Sequence, residues 1–264
     1  MLFSEALASI QPANKGYLAA TSHDWFQGRA IYGGLVAALG NEALRKTVPA
    51  ERLLRSLEIV FAGPVLPGAV QIDTEILRVG KAVTIAAAKI SSNSQLAATL
   101  TGVYGASRQA EMRVEPPTPQ DVPHWRELAD AQLPARMHVP EFLQHFGMKF
   151  AQGTQPFTGT PLPRSKVYIR HLDPAPLSES HVVALIDCIP PPLLQMMSTV
   201  VPASSITWTL EFLRHDYHFS PAEWWRIDTE VKGAGDGYCQ ESSLVLDPQG
   251  RPAAFSRQLV AVFG

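Results

Sequence analysis

The stretch whose reading decides the fold is His23-Asp-Trp-Phe-Gln-Gly-Arg-Ala-Ile-Tyr-Gly-Gly-Leu-Val-Ala-Ala-Leu-Gly-Asn-Glu-Ala-Leu-Arg-Lys46. Ile31, Leu35, Val36, Leu39 and Leu44 fall close to helical spacing, which predicts one long helix entered through an aromatic, glycine-bearing turn. Ala30, Gly33, Gly34, Ala37, Ala38 and Gly40 lie between them. Each glycine inside a helix costs about 1 kcal/mol relative to alanine. So many small residues imply a close neighbour along the helix, either a surrounding sheet or a ligand at its N-terminal end.

Around this helix the pattern is that of strands. Gly16–Ser22 is a short candidate strand before it, and the helix ends near Val48-Pro49. Leu53–Ala62, Ala69–Val79, Val83–Ser91 and Leu96–Tyr104 then read as a meander, with Val70, Ile72, Thr74 and Ile76 on one face of the second strand. A helix followed by hairpin-linked strands is an α+β arrangement, the helix wrapped by an antiparallel sheet.

The same order returns in the second half. Lys166–Leu172 reads as a strand and His181–Ile189 as a helix stopped by Pro190-Pro191-Pro192. A short helix resumes over Leu193–Met197, and strands follow at Ser204–Arg214, Trp224–Lys232, Tyr238–Leu246 and Ala253–Phe263. Turns are marked at Gly233–Gly237 and Asp247–Gly250. Ile72-Asp-Thr-Glu75 recurs 155 residues later as Ile227-Asp-Thr-Glu230, and at that offset Gly80 meets Gly235. A duplicated unit is expected: residues 1–106, a proline-rich linker at 107–164, and residues 165–264. The linker's prolines include Pro116, Pro117, Pro134 and Pro140. It contains a short helix around His124–Asp130, and its Trp125, Phe142, Phe146 and Phe150 need somewhere to pack.

Composition narrows the class. The 264 residues are 46% hydrophobic and 17% charged, so a substantial core is available. A net charge of −2 gives no electrostatic case for nucleic acid or an acidic membrane surface. No apolar run reaches the roughly 18 residues that span a bilayer. Glu5 stands where an export signal would be basic, and Cys188 and Cys239 suggest no disulfide framework, so a cytoplasmic protein is expected.

Three segments carry a resemblance to a known family: Arg29-Ala-Ile-Tyr-Gly-Gly-Leu-Val-Ala-Ala-Leu39, Ser204-Ser-Ile-Thr-Trp-Thr-Leu-Glu-Phe-Leu-Arg214, and Asp247-Pro-Gln-Gly-Arg-Pro-Ala-Ala-Phe-Ser-Arg-Gln-Leu259. With the order of elements, the chain resembles the acyl-CoA thioesterase II group and the thioesterase-like superfamily, whose fold is a double hotdog. The resemblance implies hydrolysis of an acyl-CoA thioester without a cofactor or metal, and a homodimer is plausible. It also implies an aspartate, a serine or threonine, and a glutamine in the second half that hold and activate water. Carried over, the glutamine is Gln258, the aspartate position falls on Thr207, and the hydroxyl position falls near Lys232.

The candidate chemistry follows from these residues. Gln258 both donates and accepts hydrogen bonds and orients water, or is an ordinary strand residue. Thr207 holds water but is no general base at neutral pH. Gly33 and Gly34 place amide hydrogens at a helix N-terminus, where an oxyanion gains roughly 3 kcal/mol per donor. Asp187, expected mid-helix, is a base if buried or a surface residue if not. Asp24 is a base or a turn residue. Trp25 and Tyr32 pack while lining an acyl pocket, with His23 and Lys232 as further substrate contacts. His215 and His218 lack a third metal ligand. The Gly233–Gly237 run precedes no helix and is no phosphate loop. No Gly-x-Ser-x-Gly elbow is present, and no aspartate stands five residues before a histidine as in hotdog hydratases. Because Thr207 stands where the resemblance implies a carboxylate, the alternative is an acyl-CoA- or lipid-binding protein with little catalysis.

Overall fold

The computed structural model describes residues 1–112, 114–119, 121–131 and 139–263; Pro134 of the expected linker lies outside them. The first half opens with α1 (Phe3–Ala8), β1 (Gln11–Ala13), β2 (Gly16–Thr21), β3 (Phe26–Gln27), β4 (Ala30–Ile31) and α2 (Gly33–Arg45). It continues with β5 (Leu53–Phe61), β6 (Gly68–Val79), β7 (Val83–Ser92) and β8 (Gln95–Gly105). The second half runs β9 (Phe146–Gln152), β10 (Arg164–His171), α3 (Glu179–Ile186), α4 (Pro192–Met196), β11 (Ala203–Phe212), β12 (Trp225–Gly235), β13 (Tyr238–Leu246) and β14 (Pro252–Val262).

Twelve strands form one antiparallel sheet in the order β1-β2-β6-β7-β8-β5-β11-β14-β13-β12-β10-β9. Read outward from the central β5–β11 pair, where Trp208 faces Ile59, the two halves have the same order. Bulges fall at Ile76/Arg78 and at Val231/Gly233, 155 residues apart, as the repeated Ile-Asp-Thr-Glu segments are. α2 and α3 lie together inside the sheet. This is a double hotdog.

The helix begins at Gly33, two residues after the first residue of the helical pattern, and the turn expected before it is built in two parts. His23–Trp25 form a single 3₁₀ turn, and β3 and β4 make a tiny hairpin turned by Gly28 at φ +69°. From Leu35 to Gly40 every residue of α2 is buried, so both neighbours press on its backbone. A Cβ on Gly40 would lie 2.7 Å from the Leu100 side chain and 3.1 Å from Ile90, and this glycine is what admits the sheet.

The expected linker is more structured than its prolines suggest. Phe146–Gln152 is a strand that pairs with β10 and forms one edge of the sheet. Prolines flank this segment and none lies within it, so its ladder donors are intact. The helix expected at His124–Asp130 is one 3₁₀ turn, Trp125–Glu127. Phe142 stacks on Tyr32 at 4.1 Å, and Trp125 stacks on Trp224 at 6.0 Å. The turn expected over Gly233–Gly237 is tighter: β12 runs to Gly235, and only Asp236 and Gly237 turn, both at positive φ.

Candidate active site

α3 is apolar throughout its middle, with Val182, Val183 and Leu185 buried. Pro190 ends it, because a proline ring clashes with the carbonyl four residues back, here that of Ile186. Asp187 is therefore the residue that caps the helix C-terminus, at φ −78° and ψ −8°, and is not mid-helix. Its carboxyl turns toward the N-terminus of α2. The Gly34 amide donates to it, and a Cβ on Gly33 would lie 3.0 Å from Asp187 Oδ2. Gly33 is thus the gap through which the carboxylate reaches α2.

Gln258 faces the same carboxyl from β14. Its Nε2 donates to Asp187 Oδ1 at 2.8 Å, and its Oε1 accepts from Ser205 Oγ at 2.7 Å. Side chains alternate between faces along a strand, so Ser205 would ordinarily oppose Trp208, three residues on. The bulge between Ser205 and Thr207 inserts one residue and restores Ser205 to the inner face, opposite Val260. Thr207 is turned to the outer face, opposite Leu259 and Val60.

The site is electrically unusual. Removal of water from the Asp187 carboxyl raises its pKa to about 7, against the lowering by its bonds from Gln258 and Gly34. Glu241 on β13 lies opposite Gln258, is 5% exposed, and has its pKa raised to about 8 by burial and then by Asp187. Gly33, Asp187 and Ser205 are partly exposed as residues amid buried neighbours.

The structure thus brings together Gly33, Gly34, Asp187 and Gln258 from the sequence-based candidates. It adds Ser205, Glu241 and the ring of Phe61, whose Cζ would be 3.2 Å from a Cβ on Gly33. Thr207, to which the resemblance carries the aspartate, lies on the outer face, and the carboxyl and hydroxyl that meet Gln258 are those of Asp187 and Ser205. Lys232 is exposed and paired with Glu230 at 2.5 Å. The bulge in β11 shifts inward-facing parity by one residue, so Ser205 and not Thr207 reaches the inner face, and spacing alone does not reveal it.

The remaining candidates make contacts of their own. Trp25 is buried and stacks on His145 at 3.9 Å. Tyr32 is buried and donates to the Ala184 carbonyl at 2.5 Å, joining α2 to α3. Asp24 accepts from Ser22 and pairs with His145 at 3.2 Å, so it is a turn anchor. His23 is exposed, with its ring edge-on to Phe26. His215 binds the Leu54 carbonyl at 2.7 Å.

The pseudo-twofold axis creates a related position at the other ends of the helices. Asn41 bonds Ser180 Oγ at 3.2 Å as Asp187 meets Gly34, and both members of each pair differ by 146 residues. Tyr104 Oη donates to Asn41 Oδ1 at 3.1 Å where Gln258 would stand. The Tyr104 ring lies 2.6 Å from a Cβ built on Gly102, so it fills that space. Asparagine has no proton-accepting carboxylate, which leaves one candidate centre of this kind among the described residues.

A sheet-wrapped helix pair with a carboxylate, an amide and a hydroxyl at its end defines a hotdog protein of the thioesterase type. Residues 21–105 match the acyl-CoA thioesterase N-terminal domain and residues 115–262 its C-terminal domain, and the chain belongs to this family. A conserved hot dog protein from Alicyclobacillus acidocaldarius is similar at TM-score 0.87 and 20% identity, over 99% of this chain and 98% of that one. The tesB protein of Mycobacterium avium subs paratuberculosis is similar at TM-score 0.77 and 12% identity over 100% of both chains. The acyl-CoA thioesterase II TesB2 of Mycobacterium marinum is similar at 0.72 and 15%, over 98% of this chain and 96% of that one. Among curated proteins none matches this chain.

Proposed function

We propose that the protein hydrolyses acyl-CoA thioesters, with Asp187 as general base. The observation that carries this is the chain of bonds from Ser205 through Gln258 to Asp187. Ser205 spends its proton on Gln258, so its lone pairs accept from water. A water that donates one hydrogen to Ser205 and the other to Asp187 has a lone pair left for the thioester carbon. Asp187 takes the proton as the oxygen–carbon bond forms. The carbonyl electrons move to oxygen, where the Gly33 amide, which has no intrahelical partner at its position, donates. Collapse of the intermediate breaks the carbon–sulfur bond, and the CoA thiolate takes the proton from Asp187. Gly34 is reassigned within this scheme, because its amide is committed to Asp187.

Beyond Ser205 and Gln258, the buried cluster of Leu194, Cys239, Val260 and Val262 offers the acyl group an apolar wall. The binding-only alternative rested on a missing carboxylate at Thr207, and Asp187 supplies one. The same reading includes a homodimer and a cytoplasmic setting, in keeping with two free buried cysteines; no helix among the described residues is long and apolar enough to cross a membrane. Purified protein should release thiol from at least one of a short, medium, long and aromatic acyl-CoA panel, and Asp187→Asn should abolish that release. Equal turnover by Asp187→Asn would sink the proposal.

A further inference from the structure

Glu241 has no place in the chain of bonds just described, yet it lies against it. It sits on the inner face of β13 directly opposite Gln258 and next to Val231. Its Oε2 is buried without a hydrogen-bond partner. At the same offset of 155 residues the first half has Ala86, and Ala86 pairs with Gly102 as Glu241 pairs with Gln258. The carboxyl–amide pair is therefore present only in the half that carries the candidate site. A buried carboxyl oxygen without a partner is a costly choice where alanine serves elsewhere in the fold.

We propose that Glu241 is a positioning residue: a second carboxyl, kept neutral beside Asp187, that leaves the Gln258 amide hydrogen to Asp187. This rests on the reading of Asp187 as base. A neutral acid is a weak acceptor and does not compete for Gln258 Nε2. An ionised Glu241 would draw that donor away and place negative charge beside the developing oxyanion. The ionisable groups facing the pair are Asp187 itself, Cys188, Cys239 and Tyr32, none of them a cation. Burial and the Asp187 charge both push the Glu241 proton on, and two coupled carboxyls lose their protons in two separate steps.

The test is a pair of measurements on the full chain. In the pH dependence of kcat/KM with an accepted acyl-CoA, the wild type should rise as Asp187 ionises near 7 and fall as Glu241 ionises above about 8. Glu241→Gln, neutral at every pH, should keep the rise and lose the fall. An unchanged alkaline fall in Glu241→Gln overturns the proposal. Infrared difference spectra of wild type against Glu241→Gln at pH 7 need no turnover. They should show a protonated-carboxyl stretch, whose titration moves to lower pH in Asp187→Asn. Absence of that stretch also overturns the proposal. A protein that shows the stretch but hydrolyses no acyl-CoA would refute the thioesterase reading and leave the neutral Glu241 standing.

Discussion

Gln258 donates from its side-chain amide to Asp187 Oδ1 at 2.8 Å, joining the last strand to the end of α3 across 71 positions of sequence. The bond fixes both groups, because Ser205 occupies the other end of the amide. Gln258→Ala should lower kcat by about 10²–10³-fold, the usual loss when one preorganised donor is removed. KM should change little. Ser205→Ala should cost less, about tenfold, since a second water can accept in its place. Steady-state kinetics with an accepted acyl-CoA, alongside thermal melts to confirm folding, check both. A Gln258→Ala enzyme with wild-type kcat would remove the amide from the mechanism.

The raised pKa of Asp187 also makes a prediction about stability. Its folded value of about 7 exceeds the ordinary carboxyl value of 3.8, so the folded state binds the proton more tightly. Stability linked to this group is fully present below about pH 4 and is lost as pH rises through 7. Asp187→Asn removes the penalty, because the amide is neutral throughout. Urea denaturation at pH 8 should find the variant more stable by about 2–4 kcal/mol, the lower figure allowing for water that reaches the carboxyl. Near pH 4 the two proteins should match. A variant less stable than wild type at pH 8 would mean that the carboxylate is net stabilising.

Much of the fold was legible because it rests on periodicity. The alternation at Val70, Ile72 and Thr74 and the repeated Ile-Asp-Thr-Glu segment follow from strand geometry and duplication, and both reach the sheet intact. The site was legible only in part. Gln258, Asp187 and Gly33–Gly34 were visible as residue types, but not their meeting, which depends on two helices lying antiparallel. Ser205 was hidden by the bulge before Thr207, a one-residue shift that no alternation pattern records. β9 was hidden by the surrounding prolines, although Phe146 and Phe150 signalled that the segment packs. Glu241 looked like any strand glutamate, since its burial depends on the face that β13 presents.

Gly33 separates activity from stability. A Cβ there would sit 3.0 Å from Asp187 Oδ2 and 3.2 Å from the Phe61 ring. Both neighbours are side-chain ends beside a partly open space, so each moves by a few tenths of an ångström. Gly33→Ala should therefore leave the melting temperature within a few degrees, with helix propensity contributing about 1 kcal/mol in its favour. The displaced carboxylate should lower kcat about 10–100-fold, as small misplacements of reacting groups do. Gly34→Ala should behave differently. Its Cβ would meet the fully buried Tyr32 ring at 2.5 Å, and the overpacking should cost about 1–3 kcal/mol in denaturant unfolding.

Tyr104 tests whether the pseudo-twofold partner of the site is silent. Its Oη bonds Asn41 Oδ1 at 3.1 Å, in the position where Gln258 meets Asp187 in the other half. Asn41 is fully buried and also donates to Glu179 at 3.1 Å and to Ser180. Removing the phenol leaves a buried acceptor without this donor, so Tyr104→Phe should lose about 1–3 kcal/mol of stability. The aromatic ring remains over Gly102, so the space stays filled and no new cavity term enters. With a single centre at Asp187, the variant's kcat per chain should equal that of the wild type at temperatures where both are folded. If the Asn41 position also turned over substrate, kcat would fall toward half. Calorimetric titration with a non-hydrolysable acyl-CoA analogue, giving one site per chain rather than two, would settle the count independently of stability.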